Sequence, residues 1–198
     1  MGFENRSDFH VLVIGSGGAG IRAAVEAEKY GSVVLISKTI TGKGGCTVMA
    51  EGGYNAVLSD NDAVSIHFED TIKGGAYLND EALAETLALE APARIRDLFN
   101  WGAVFDLSPE NTIAQRPFGG QRFPRTCYAG DHTGHEMVMT LLERLRGSNV
   151  EIRDETTALE LLKDGDRVIG AVTVDRNGEL GVITADAVIL ATGGAGQL

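Results

Sequence analysis

A chain of 198 residues with 43% apolar side chains can bury one core, or slightly more than one domain's worth. Its net charge of -11 opposes nucleic-acid binding, which depends on Lys and Arg neutralising phosphates. No apolar run reaches the length of a membrane span, and the first eight residues are polar without a signal-type apolar region, a combination expected of a cytoplasmic protein.

Residues 9–14 form an apolar run of β type that stops at glycines and passes into good helix formers over 21–30, ended by Gly31. This predicts a strand, a tight turn and a helix. Gly15, Gly17 and Gly20 fill the pattern G-x-G-x-x-G. In that pattern the first glycine permits the turn, the second lets a pyrophosphate approach the backbone, and the third lets helix and strand pack closely. The anion would sit on unpaired N–H groups at the helix N-terminus. The alternative is a glycine-rich loop without a ligand.

The apolar run 32–37 predicts a second parallel strand, completing a β-α-β unit. An Asp or Glu usually stands at its end to bind ribose hydroxyls, but this chain has Ser37-Lys38-Thr39, which counts against NAD. A hydroxyl there can still bond a ribose, with Lys38 near phosphate; an ordinary strand end is the other reading.

Residues 41–56 hold too much glycine for a helix and alternate too little for a strand, so they are expected to form a loop wrapped on something. Helical spacing follows over 63–71 and 80–101, where Leu83, Leu87, Leu89, Ile95 and Leu98 mark an apolar side to be packed on the sheet. Asn79 or Asp80 is the candidate cap, and Pro92 is expected to kink or split the helix. His67 has no partner at ligand spacing. A further helix is predicted up to Arg146, capped by Asp131 or Thr133 and ended by Gly147. His132 and His135 on it are three apart, but no third ligand is evident, and Cys46 and Cys127 lack metal or disulfide spacing, so no metal site is expected.

Residues 150–153 read as a short parallel strand. An antiparallel meander is then expected over 158–184, with turns at Asp164-Gly165-Asp166 and at Arg176-Asn177-Gly178, the Asn-Gly pair being a strong hairpin signal. A fully apolar strand resumes at 187–191 and ends in Thr192-Gly193-Gly194.

Several of these stretches together carry a resemblance. They are the first glycine-rich turn, residues 41–56, Ile66-His67-Phe68-Glu69-Asp70-Thr71, Arg116-Pro117-Phe118-Gly119-Gly120 running to Arg125-Thr126, and the terminal 191–196. In this order, over nearly the whole chain, they resemble the flavoprotein subunits of succinate dehydrogenase and fumarate reductase, and more distantly L-aspartate oxidase. The resemblance implies an α/β fold: a Rossmann-type FAD-binding domain with a parallel sheet and an inserted antiparallel β-meander, truncated before the capping domain. Residues 1–198 would be the N-terminal part of that domain. It would comprise a β-α-β unit at 9–38, a flavin-covering loop and helices at 39–147, a strand and β-meander at 150–186, and a returning strand at 187–194.

By the same resemblance the cofactor is FAD. Gly15, Gly17, Gly18, Ala19 and Gly20 would meet its diphosphate, and Ser37, Lys38 and Thr39 its ribose. Gly45, Cys46, Thr47, Ala50, Glu51, Gly52 and Gly53 would cover the flavin. Thr157 and Ala158 would lie near adenine, and Ala191, Thr192 and Gly193 at the returning turn. Gly53 and Phe118 would also face the dicarboxylate substrate. Many members of the family carry a flavin-linking histidine where this chain has Cys46, so the FAD is expected to be non-covalent, a state that favours fumarate reduction; a cysteinyl thioether and a free buried thiol both remain open.

The activity implied is interconversion of fumarate and succinate by hydride transfer at flavin N5, with catalytic residues expected beyond residue 198. An iron–sulfur subunit is the implied partner, and membrane association would come only through partner subunits, at the cytoplasmic face. Arg116, Arg122 and Arg125 occupy a stretch without acids between Glu110 and Asp131, and are either a positive entrance for a dicarboxylate or ordinary salt-bridge partners. L-aspartate oxidase and a non-catalytic FAD-binding fragment are the competing readings, and Phe118-Gly119-Gly120 fits the fumarate enzymes better than the oxidase.

Overall fold

The computed structural model describes residues 7–195; Gly196, the end of the terminal glycine motif, lies outside them. In chain order the elements are β1 (Phe9–Ile14), α1 (Gly18–Ala27), β2 (Val33–Ile36), β3 (Tyr54–Asn55), α2 (Val64–Gly74), α3 (Glu81–Asn100), β4 (Gln115–Arg116), β5 (Thr126–Cys127), α4 (Thr133–Arg146), β6 (Glu151–Arg153), β7 (Thr157–Asp164), β8 (Arg167–Val174) and β9 (Leu180–Leu190). They form two compact units. One takes the described residues up to Val48 and from Leu141 onward, the other Met49–Thr140.

The first unit is built on a six-stranded sheet of order β6-β2-β1-β9-β8-β7. The four strands β6, β2, β1 and β9 run parallel, with Val13 opposite both Leu35 and Ile189. β2 is buried along its whole length, which is why its sequence is continuously apolar rather than alternating. One end of the sheet is the expected meander: β7 pairs antiparallel with β8, and β8 with β9. The Asn177-Gly178 turn forms as its chemistry requires, with Gly178 at φ +82 and the Asp175 carboxylate accepting from the N–H groups of Asn177 and Glu179. The meander's last strand and the returning strand, separate in the sequence reading, are one strand. β9 gives residues 180–184 to β8 and residues 185–190 to β1. Asp186 does not interrupt it, because its side chain is exposed and accepts a hydrogen bond from Ser7 at 2.8 Å.

Leu12, Ile14, Val34 and Ile36 from the parallel strands share one buried cluster with Ala171, Ile183 and Ala185 from the meander. Each large side chain so buried contributes about 1.5–3 kcal/mol. Gly31 proves necessary for space rather than for a left-handed cap: its φ of 161° is extended, and a Cβ there would lie 2.5 Å from the His10 ring.

In the second unit α2 and α3 pack on each other, and β3, β5 and β4 form a small antiparallel sheet whose two-residue strands are too short to announce themselves in the sequence. The apolar side expected for α3 is corrected. Leu83, Leu87 and Leu89 are exposed, and the buried stripe is Ala84, Ala88, Ile95 and Leu98. Alanines permit the closer approach, and burial follows that stripe rather than the bulkier leucines beside it. Asp80, not Asn79, caps α3 by accepting from Leu83 N–H at 3.1 Å. Pro92 lies inside α3 without splitting it.

The core of this unit holds a buried ion network. Arg125 is fully buried, gripping Asp62 through Nε and Nη2 at 2.7 and 2.8 Å and reaching Asp70 through Nη1 at 2.8 Å. Arg122 donates from Nε to Asp70 at 2.6 Å and from Nη2 to Glu69 at 2.8 Å. Of the two readings of the arginine stretch, salt bridging therefore holds for Arg122 and Arg125: their charge is already answered by carboxylates distant in sequence. Burial alone would raise the Asp70 carboxyl, but hydrogen bonds from Arg122 and Arg125 outweigh it and hold Asp70 below the usual carboxylate range. His67 is buried beside this network with Nδ1 unpartnered, and burial, aided by the Arg125 charge, holds its pKa below the ordinary value.

Removing one partner of a buried pair leaves an uncompensated charge, so Asp62→Ala is expected to lower unfolding free energy by about 3–5 kcal/mol. The exposed Glu69→Ala should cost less than about 1 kcal/mol in the same urea titration. His67 adds a pH dependence. The unfolded chain protonates near pH 6.5 while the folded site resists, so this contribution is complete above about pH 6.5 and is lost as pH falls through the lowered folded value. His67→Gln should therefore show a flatter stability profile than the wild type between about pH 7 and 5.

Candidate functional site

The site begins where β1 ends. Gly15 has φ +112, and a Cβ on it would stand 2.3 Å from the Ala191 carbonyl oxygen; a Cβ on Gly20 would stand 1.8 Å from the Gly15 carbonyl oxygen. Strand, helix and returning turn thus touch backbone to backbone, fastened by Gly15 N–H to Ile36 O and Ala191 N–H to Ile14 O, both 2.9 Å. Gly17 differs. It caps α1 with no side-chain hydrogen bond, has an ordinary extended conformation, and a Cβ on it would meet only Thr47 Oγ1 at 3.5 Å. Packing does not require its bareness.

At the start of α1, Gly18 N–H donates to Thr47 Oγ1 at 3.1 Å, while the N–H groups of Ala19 and Gly20 have no acceptor among the described residues. The first turn of a helix directs such groups outward, where its dipole favours negative charge. Two amides and a bare Gly17 therefore make a cradle fitting a diphosphate.

The end of β2 is arranged differently from the sequence reading. Ser37 is buried, and its hydroxyl is shared with Ser16 at 2.6 Å while accepting from Thr39 N–H at 3.3 Å. That hydroxyl ties the glycine turn to β2 rather than standing open to a ribose. Ser16, an unspecified position of the motif, had no signal of its own. Lys38 and Thr39 are exposed. Beside them runs the segment after β6, held by Thr156 N–H to Ser37 O at 2.8 Å and by Asp154, whose Oδ1 accepts from the N–H and hydroxyl of Thr41 at 2.8 and 2.6 Å. Glu155 between them has φ +51, strained for a residue with a side chain. Thr157 and Ala158 open β7, half-buried. On the returning turn Gly193 has φ +75 with open space around it, next to exposed Thr192.

Gly45, at φ +87 in open space, and Cys46 are exposed. The free thiol of Cys46 is thus not a buried apolar filler, in contrast to Cys127, whose thiol burial pushes up to about 12. In the second unit, Ala50 and Glu51 are exposed, Gly52 lies under the Phe118 ring, and Gly53 has φ +119 where a Cβ would meet the Cys127 carbonyl oxygen at 2.3 Å. Phe118 is itself 54% exposed, which leaves its ring available to a ligand. Among the described residues there is no cluster of three metal-ligating side chains, and no helix is long and apolar enough to cross a membrane.

Parallel strands whose order reverses at β1, with a glycine cradle at the carboxyl end of that strand, define a Rossmann-type dinucleotide-binding domain. Comparison with known proteins narrows the class. The FAD binding domain family matches residues 10–198, and the chain belongs to that family. It is 47% identical over 190 residues to an uncharacterised FAD-dependent oxidoreductase of Methanocaldococcus jannaschii, covering 95% of this chain and 35% of that protein. It is 46% identical over 193 residues to a fumarate reductase (CoM/CoB) subunit of Methanothermobacter marburgensis, again 95% and 35%. Among solved structures it superposes on a quinol fumarate reductase of E. coli with a TM-score of 0.90 at 35% identity, covering 95% of this chain and 33% of the other. The chain spans about a third of the length of the curated relatives it matches.

The glycines separate by function in a testable way. Gly17→Ala is expected to fold with a melting temperature close to wild type and to lose at least about tenfold, or 1.4 kcal/mol, in FAD affinity by fluorescence titration. Gly20→Ala, with its clash at 1.8 Å, should lose the folded state as well.

Proposed function

We propose that this chain is the FAD-binding portion of a flavoprotein subunit that interconverts fumarate and succinate. The observation that carries the reading is the cradle at the end of β1, with two free amides and a Gly17 bare for access, in a chain akin to fumarate reductase subunits. When bound, FAD supplies hydride transfer at N5.

The chain's own residues do the holding. Gly17, Gly18, Ala19 and Gly20 meet the diphosphate, and Gly15 provides the turn that lets them. Lys38 and Thr39 take the ribose side in place of the usual acid, with Thr157 and Ala158 at adenine and Ala191, Thr192 and Gly193 at the returning turn. Thr47 clips the flavin-covering segment to α1 through Gly18. Gly45, Cys46, Ala50, Glu51, Gly52 and Gly53 cover the flavin, and Gly53 and Phe118 contribute to the dicarboxylate wall. Cys46 replaces a flavin-linking histidine, so FAD is held without a covalent bond. Phe118-Gly119-Gly120, which fits the fumarate enzymes better than the oxidase, supports fumarate and succinate over aspartate as the substrate pair. Electrons reach the flavin through an iron–sulfur subunit, and any membrane attachment is through partners.

The test is made on the complete protein. After acid precipitation the yellow colour should remain in the supernatant, and dithionite-reduced flavin should be reoxidised by fumarate. Colour retained in the pellet would contradict the non-covalent assignment. Oxidation of aspartate with no response to succinate would overturn the fumarate–succinate reading in favour of the oxidase.

A further inference from the structure

Residues 50–53 are held in an unusual manner. Three successive carbonyls each have their own donor: Ala50 O accepts from Gly134 N–H at 2.7 Å, Glu51 O from the Thr133 hydroxyl at 3.3 Å, and Gly52 O from Arg116 Nη2 at 2.8 Å. In a trans peptide the carbonyl of one residue and the N–H of the next point in opposite directions. The N–H groups of Glu51, Gly52 and Gly53 are therefore turned away from these donors, and none has an acceptor among the described residues. Strand pairing agrees. Ala56 N–H bonds Arg125 O, and Tyr54 lies opposite Cys127, which puts Gly53 at a position whose N–H faces away from β5.

The first two carbonyls are held where α4 begins. The third depends on one side chain. Its peptide is also the easiest to turn over, because it joins two glycines, for which φ of either sign costs little. Arg116 is itself held by its guanidinium lying 4.3 Å over the Tyr128 ring, while its buried Nε has no hydrogen-bond partner among the described residues. Phe118 closes the other side, at 3.0 Å from where a Gly52 Cβ would stand. A cation bonded to the carbonyl also polarises the peptide, strengthening the N–H on its far side as a donor to an electron-rich group.

We infer that Arg116 is a positioning residue that sets the Gly52–Gly53 peptide so that the Gly53 N–H is presented to an anionic ligand, a carboxylate of the dicarboxylate substrate. The ligand's identity rests on the proposed function; the peptide's orientation does not. Without the guanidinium the peptide turns over and presents a carbonyl, which repels the same group.

The experiment uses Arg116→Gln and Arg116→Lys in the FAD-loaded protein, titrated with malonate and followed by the flavin difference spectrum. The carbonyl carbon-13 signal of Gly52 is recorded on the same proteins without ligand. Arg116→Gln should bind malonate at least about tenfold more weakly while FAD affinity changes less than threefold, and its Gly52 carbonyl signal should move upfield. Arg116→Lys, which keeps a charged donor, should recover most of the malonate affinity. Unchanged malonate affinity in Arg116→Gln, an unmoved Gly52 signal, or equal losses in the Gln and Lys variants would each overturn the inference. Should Arg116→Gln fail to fold, Arg116→Lys decides alone: a Gly52 carbonyl signal near the wild-type position upholds the inference, and one shifted as if unbonded overturns it. A wild-type protein that takes up no FAD would instead defeat the flavoprotein reading, and the Gly52 signal would still decide the orientation of the peptide.

Discussion

Backbone contact at a single point organises the first unit. The Gly15 carbonyl passes so close to Gly20, and Ala191 so close to Gly15, that no side chain fits at either glycine. This contact brings the start of α1 over the end of β1 and sets the returning turn beside both. Gly17 at the N-cap offers no side chain of its own, and the amides of Ala19 and Gly20 have no acceptor among the described residues, while Thr47 takes that of Gly18. Close packing of strand, helix and returning turn is thus a consequence of the side chains missing at Gly15 and Gly20.

The second unit is organised by a different kind of contact. It places Arg125 wholly inside, between Asp62 and Asp70, and adds Arg122 and Glu69 at the rim. Such a network is costly to bury and costlier to break, so it specifies one arrangement of the loops that carry these groups. His67, buried beside it with its pKa held down mainly by burial, couples the same arrangement to protonation. Arg116 stands apart from its two neighbours: it answers a backbone carbonyl and an aromatic ring instead of a carboxylate. Three arginines within ten positions thus have two different jobs.

Much of the first turn was legible residue by residue. Gly15 and Gly20 sit at the turn and the packing contact that their spacing implied, Gly17 lies between them at the start of α1, and the Asn177-Gly178 hairpin closed where its turn chemistry said it would. Ser37 was legible only as a hydroxyl at a strand end; whether that hydroxyl faced a ribose or Ser16 depended on a neighbour across the turn. Asp154 carried no signal, and Thr133 and Arg116 were legible only as a possible helix cap and a possible entrance cation, because each acts on a backbone group far away in sequence that nothing local reveals.

What the chain's order of residues determined by itself was everything local: the buried parallel strands, from unbroken apolar runs, and the turns, from glycine and asparagine conformations. Tertiary structure decided which of two possible stripes of α3 was buried, the fusion of the meander's last strand with the returning strand, and the fate of the arginines. Those outcomes turn on distance and competition. An alanine stripe beats a leucine stripe only when another helix comes close, and a guanidinium becomes an ion-pair partner or a backbone clamp according to what folding brings within three ångströms of it.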